Sequence, residues 1–180
     1  RWYLGAVHEM PAGSASPASS RTTFTGLVDA HVLADRLTDR DAALLASFGV
    51  TTVVCPVHDG LVDRAKGPTA KGWLDALEGL LAVQGPRLRR AGLRPLFALG
   101  VHPSSAPEQG LDSVLEELPG FLSDPSVVAL GTLGLNRDTP LERDAFVKQL
   151  EMAVAFRRPV FVAAPPLDPL PVMQQFETFE

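Results

Sequence analysis

Four residues of this 180-residue chain have the type and placement to hold a divalent metal ion. Asp29 and His31 stand two apart near the end of the apolar run 24–33, which reads as a short buried strand, so on it they point to one side. His58 follows a second apolar run, Val50–Val57, and His102 follows a third, Arg94–Val101. If these runs are parallel strands, three imidazoles and a carboxylate reach one end of one sheet, with Asp59 beside them. Such groups ligate zinc and manganese. An ion held there would activate water for hydrolysis. The plainer reading gives each histidine a structural role. His102 then caps backbone groups, His31 bonds to Asp29, and His58 is a solvated loop residue.

Other chemistry-bearing residues read as structural. Cys55 lies in an apolar run with no base beside it and behaves as a small buried hydrophobe. Glu116, Glu117 and Glu142 read as solvated or capping carboxylates on helices. Gly131-Thr132-Leu133-Gly134 reads as a tight strand exit rather than a phosphate cradle, and Trp73 as core or interface. Arg87, Arg89, Arg90 and Arg94 read as a solvated helix end, where cations favour the dipole. His8 carries no functional role. No catalytic residue and no phosphate-binding residue is assigned.

The elements that must position these groups alternate. Thr38 is a helix N-cap followed three residues later by Asp41, and Ala42, Leu45 and Phe48 form an apolar stripe that Gly49 ends. Val50–Val57 is a continuous β-branched run, the mark of a strand covered on both faces. Residues 70–91 carry helical spacing, with Gly85-Pro86 expected to break it in two. Arg94–Val101 is the next strand, and Leu111, Val114, Leu115, Leu118, Phe121 and Leu122 outline a helix. Val127–Thr132 is a fourth strand. Thr139-Pro140-Leu141-Glu142 opens a helix that buries Phe146, Leu150, Ala153 and Val154. Arg158–Ala164 is a fifth strand, and Pro165, Pro166, Pro169 and Pro171 stop regular structure after it.

Strands alternating with helices predict an α/β fold with a parallel sheet. About five β-α units are present, and a closed eightfold barrel needs roughly 200 residues or more. The expectation is a TIM-barrel-like parallel β/α fold forming an incomplete barrel. Gly-x-Gly-x-x-Gly does not follow the first strand, which argues against a dinucleotide-binding sheet. Residues 1–23 read as a flexible arm and linker, with Trp2, Tyr3 and Leu4 as an apolar tip, and residues 24–180 as the β/α domain.

Composition sets limits on partners. The net charge of -5 gives no broad footprint for nucleic acid. The single cysteine rules out an internal disulfide framework and points to a reducing, cytoplasmic setting. No apolar run approaches the roughly 20 residues that span a bilayer, and the N-terminus carries no signal-peptide pattern.

Four segments, in order, resemble the TatD-type metal-dependent hydrolases of the amidohydrolase superfamily. Phe97-Ala98-Leu99-Gly100-Val101-His102-Pro103 is similar to their Gly-Ile-His-Pro segment. Val127-Val128-Ala129-Leu130-Gly131-Thr132-Leu133-Gly134-Leu135-Asn136 is similar to their Val-Ala-Ile-Gly-Glu-Ile-Gly-Leu-Asp. Phe146-Val147-Lys148-Gln149-Leu150-Glu151-Met152-Ala153 resembles their Phe-x-x-Gln-Leu-Glu-x-Ala, and Pro159-Val160-Phe161-Val162 their Pro-Val-Ile-Ile. The resemblance implies a TIM barrel with its site at the C-terminal strand ends.

The resemblance also implies a ligand set that this chain does not repeat. Asp29 and His31 fit the family's Asp-x-His-x-His, but Leu33 stands in place of the second histidine. Thr132 replaces the bridging glutamate, Asn136 the aspartate beyond it, Ala163 a ligand histidine and Pro165 a nearby arginine. The expectation is a degenerate, non-catalytic member with no cofactor, acting as a structural or interaction module. A protein partner or a second copy would cover its open sheet edges, with Trp2 and Tyr3 as interface residues. The alternative is a metal-dependent hydrolase of the phosphoesterase or nuclease type. It would hold zinc or manganese on a reduced or rearranged site of Asp29, His31, His58 and His102.

Overall fold

The computed structural model describes residues 26–62 and 68–163. Trp2, Tyr3, the linker, Pro165, Pro166, Pro169 and Pro171 lie outside them. The elements run β1 (Leu27–Asp29), α1 (Asp39–Ser47), β2 (Val50–Pro56), α2 (Ala70–Gly79), α3 (Gly85–Arg90), β3 (Arg94–Leu99), α4 (Leu111–Leu122), β4 (Val127–Gly134), α5 (Pro140–Phe156) and β5 (Val160–Ala163). The five strands form one parallel sheet in the order β1-β2-β3-β4-β5. Sequential parallel strands joined through helices are the pattern of a β/α barrel, here in its TIM-barrel-like form with five strands.

The core lies on the central strands and the helices that cover them. Val53 and Cys55 of β2, Phe97 and Leu99 of β3, and Leu130 and Leu133 of β4 are fully buried. Leu77, Leu88, Val114, Leu118 and Phe146 pack over them from the helices. Trp73 belongs to the core, and its indole N–H donates to the Ser105 carbonyl at 2.8 Å.

The first strand departs from expectation. It is three residues long, and Leu27 and Val28 are 61% and 54% exposed rather than buried. An edge strand has a neighbour on one side only, and among the described residues β1 pairs with β2 alone.

Local signals did better at the helix starts. Thr38 caps α1, its hydroxyl accepting from the Asp41 amide at 3.1 Å while the Asp41 carboxylate accepts from the Thr38 amide at 3.2 Å. The Thr38 hydroxyl also donates to the Asp41 carboxylate at 2.6 Å, and this bond, then the one from the Thr38 amide, holds the Asp41 carboxyl below its ordinary range. Gly49 follows the helix at a φ of +87°, a left-handed turn that glycine adopts without strain. Thr139 caps α5 with Pro140 at its first position.

Three helical expectations are corrected. Phe48 is 76% exposed because it caps the last turn of α1 rather than facing the sheet. Val154 is also exposed and sits on a face of α5 turned away from the core. Gly85-Pro86 does not break the second helical stretch. The chain passes from α2 into a π-turn over Leu80–Gln84, and the Gly85 amide bonds back to Leu80 before α3 begins. Pro86 lacks an N–H, and a shift of hydrogen-bond register just ahead of it lets the helix continue.

Candidate site at the C-terminal strand ends

The parallel sheet places the exits of all its strands at one end, so the residues expected to bind metal do lie on one rim. What each does there is a separate matter. Asp29 ends β1, and its Oδ1 accepts from the His31 backbone amide at 3.0 Å. The bond joins the pair as a local turn on an exposed edge. Leu33 begins the next turn, its carbonyl accepting from the amides of Arg36 and Leu37 at 3.0 and 3.1 Å.

His58 is not a solvated loop residue. Its side chain is 11% exposed, and Nε2 meets the Asp35 carboxylate at 2.8 Å. The other nitrogen, Nδ1, accepts from the Gly60 amide at 3.1 Å. A ring nitrogen that accepts carries no proton, so in the neutral ring the proton is on Nε2 and points at Asp35. Arg36 completes the knot, donating to the Gly60 carbonyl at 3.2 Å. Asp35 and His58 are 23 residues apart, so nothing local in the sequence pairs them.

His102 is half-buried and N-caps a short 3-10 turn, Pro103–Ser105, with Nδ1 accepting from the Ser104 amide at 3.3 Å. The strand leading to it is braced by Gln149 of α5. The Gln149 Oε1 accepts from the Val101 amide at 2.7 Å, and its Nε2 donates to the Val101 and Ala145 carbonyls at 3.3 and 2.9 Å. A glutamine can bond a strand residue on both backbone groups, as a neighbouring strand would. Gly100 makes room for it, since a Cβ there would lie 2.7 Å from that Oε1.

Thr132 is buried in β4, and its hydroxyl donates to the Val57 carbonyl at 2.8 Å, tying the exits of β2 and β4. Ala163 is the last residue of β5 and pairs with Gly134. Neither side chain offers a metal ligand of the carboxylate or imidazole kind.

Cys55 lies beneath this rim. Burial pushes its thiol up to about 12, and the negative charge of Asp29 adds to the shift. A protonated, buried thiol is neither nucleophile nor ligand.

Glu142 is corrected. It is a buried carboxylate, not a solvated one, and its Oε2 accepts from the amides of Asn136, Arg137 and Asp138 at 2.6, 2.8 and 3.0 Å. Three successive N–H groups make an anion cradle, and the chain fills it with its own side chain. Glu116 and Glu117 are exposed, as expected. The reading of Arg87 as part of a solvated helix end is corrected: its side chain is 17% exposed and is bound to the Asp39 carboxylate at 2.8 Å and to the Ala34 carbonyl, which anchors α3 to the β1–α1 loop.

Among the described residues, no group of three or more His, Cys, Asp or Glu lies close enough to hold a metal ion. Asp29, His31, His58 and His102 share a rim without converging on a point. The donor set therefore does not fit the metal that the resemblance implies. Among the described residues, no helix is long and apolar enough to cross a membrane.

The chain is similar to known proteins in sequence and in fold. No family model matches it. An uncharacterized metal-dependent hydrolase of Methanocaldococcus jannaschii is 30% identical over 139 residues, covering 77% of this chain. The chain spans about half of that relative, 53% of its length. The crystal structure of a TatD-like protein from Archaeoglobus fulgidus superposes with a TM-score of 0.72 at 23% identity, over 85% of this chain and 62% of that one. The second likeness shows that this chain has the fold of a TatD-like protein, and the first shows a likeness in sequence to a metal-dependent hydrolase.

Proposed function

We propose that the chain is a catalytically degenerate TatD-type protein, kept as a structural or interaction module. The observation that carries the reading is what has become of the family's ligand positions. Leu33 anchors a turn through its carbonyl, Thr132 spends its hydroxyl on Val57, and Ala163 ends a strand. His58 and His102, at the exits of the next two strands, use ring nitrogens to cap loops. A metal site needs three or four convergent ligands, and these residues are engaged elsewhere.

An interaction role also suits the edges of the sheet. Leu27 and Val28 on β1, an edge strand among the described residues, present apolar surface that a protein partner or a second copy would cover. Trp2 and Tyr3 are candidates for such an interface. Nucleic acid is a poor partner for a chain of net charge -5.

The test is calorimetric titration of the purified chain with zinc and with manganese, alongside phosphodiesterase assays with and without chelator. The proposal expects no saturable binding and no chelator-sensitive hydrolysis. Stoichiometric binding with hydrolysis that chelator abolishes would instead establish a rearranged metal site on this rim.

A further inference from the structure

The face of α5 that points away from the core is mixed, with Val147 and Val154 exposed among Arg143, Asp144 and Glu151 in the described fold. A helix on a sheet needs one apolar stripe, and Phe146, Gln149 and Ala153 supply it. Val147 and Val154, 42% and 78% exposed, form a second stripe together with Leu150, which is partly buried against the core. With Pro159 and Val160 they wall a groove of about 640 Å³ beside β5, an edge strand among the described residues. Arg157, Arg158 and Glu151 line the same groove, so its lining carries one positive charge in excess.

Arg158 adds an independent sign of a missing neighbour. Its Nη2 donates to the Leu122 carbonyl at 3.2 Å, but its buried Nε has no hydrogen-bond partner among the described residues. Buried donors are seldom left so.

The chain leaves β5 at Ala163, on the edge that borders this groove, with residues 164–180 still to come. That segment contains Asp168, Glu177 and Glu180 and no Lys, Arg or His. Val172, Met173, Phe176 and Phe179 recur in it at i, i+1, i+4 and i+7, the spacing of one helical face.

We propose that residues 167–180 dock in the groove between α5 and β5. Val172, Met173, Phe176 and Phe179 meet Val147, Leu150 and Val154, and an acceptor from the acidic segment satisfies Arg158. The occupant is tethered at the groove's own edge, carries the complementary charge, and has the apolar face the groove lacks. The inference is independent of whether the strand-end rim binds metal.

The test places photoreactive benzoylphenylalanine at position 154 of the full chain, irradiates at increasing dilution, and maps cross-linked peptides by mass spectrometry. The proposal expects cross-links within one chain, from position 154 into residues 167–180, with a yield independent of dilution. Phe176→Asp and, separately, Met173→Asp remove an apolar anchor and lower that yield by about tenfold or more, in chains whose circular dichroism is unchanged. Cross-links between two chains that fade on dilution would assign the groove to a second copy and overturn the proposal. So would cross-links elsewhere in the chain, a yield unmoved by both variants, or none at all.

Discussion

The hydroxyl of Thr132 donates to the carbonyl of Val57 at 2.8 Å, joining two strand exits across 75 residues of sequence. It does so at the position where the family resemblance implies a metal-bridging glutamate. In this chain the residue there acts as a brace between the exits of β2 and β4.

Thr132→Val, which keeps the shape and removes the hydroxyl, leaves a buried carbonyl without that partner. The expected loss is about 1–3 kcal/mol in the unfolding free energy, read from urea denaturation with an unchanged slope. An unaltered midpoint would mean that the brace carries no weight.

Glu142→Ala strips the common acceptor from three backbone amides and should cost at least about 2 kcal/mol, as hydrogen bonds to charged groups do. Glu142→Gln keeps an acceptor oxygen and should recover part of the loss. Amide exchange at Asn136, Arg137 and Asp138 should quicken in the alanine variant before global unfolding does.

How much of this was legible in the sequence follows from how far each interaction reaches. The caps at Thr38 and Thr139 were readable because cap and partner lie three residues apart. The strands β2, β3 and β4 were readable because most of their residues are buried and so largely apolar. Glu142 looked solvated because its partners come from the preceding loop, whose conformation no local rule fixes. His58 looked solvated because Asp35 is brought to it only by the pairing of β1 with β2. Gln149 had a signal, its place in the Phe-x-x-Gln-Leu-Glu likeness, but its grip on Val101 needed the fold. Leu27 and Val28 were misread because an apolar run does not say which strand is the edge.

Cys55 should be inert. With its thiol pushed up to about 12 by burial and then by Asp29, the folded state holds the proton more tightly than the unfolded chain does. The resulting stability is fully present below the ordinary thiol value of 9.0 and is lost as pH rises toward about 12. At neutral pH, alkylation by iodoacetamide should proceed at the rate of opening, and denaturant should accelerate it steeply. Rapid alkylation of the folded chain would show a thiol exposed or activated, contrary to its burial.

The central claim, that the family's metal site has been given over to structure, meets its most direct test in the metal content of the purified chain. Mass spectrometry should be run on the wild-type chain and on His31→Ala and His58→Ala, each after incubation with excess zinc or manganese and removal of the unbound ion. The account predicts substoichiometric metal in all three, with no difference between them. Near-stoichiometric zinc or manganese in the wild type, lost in either variant, would contradict it.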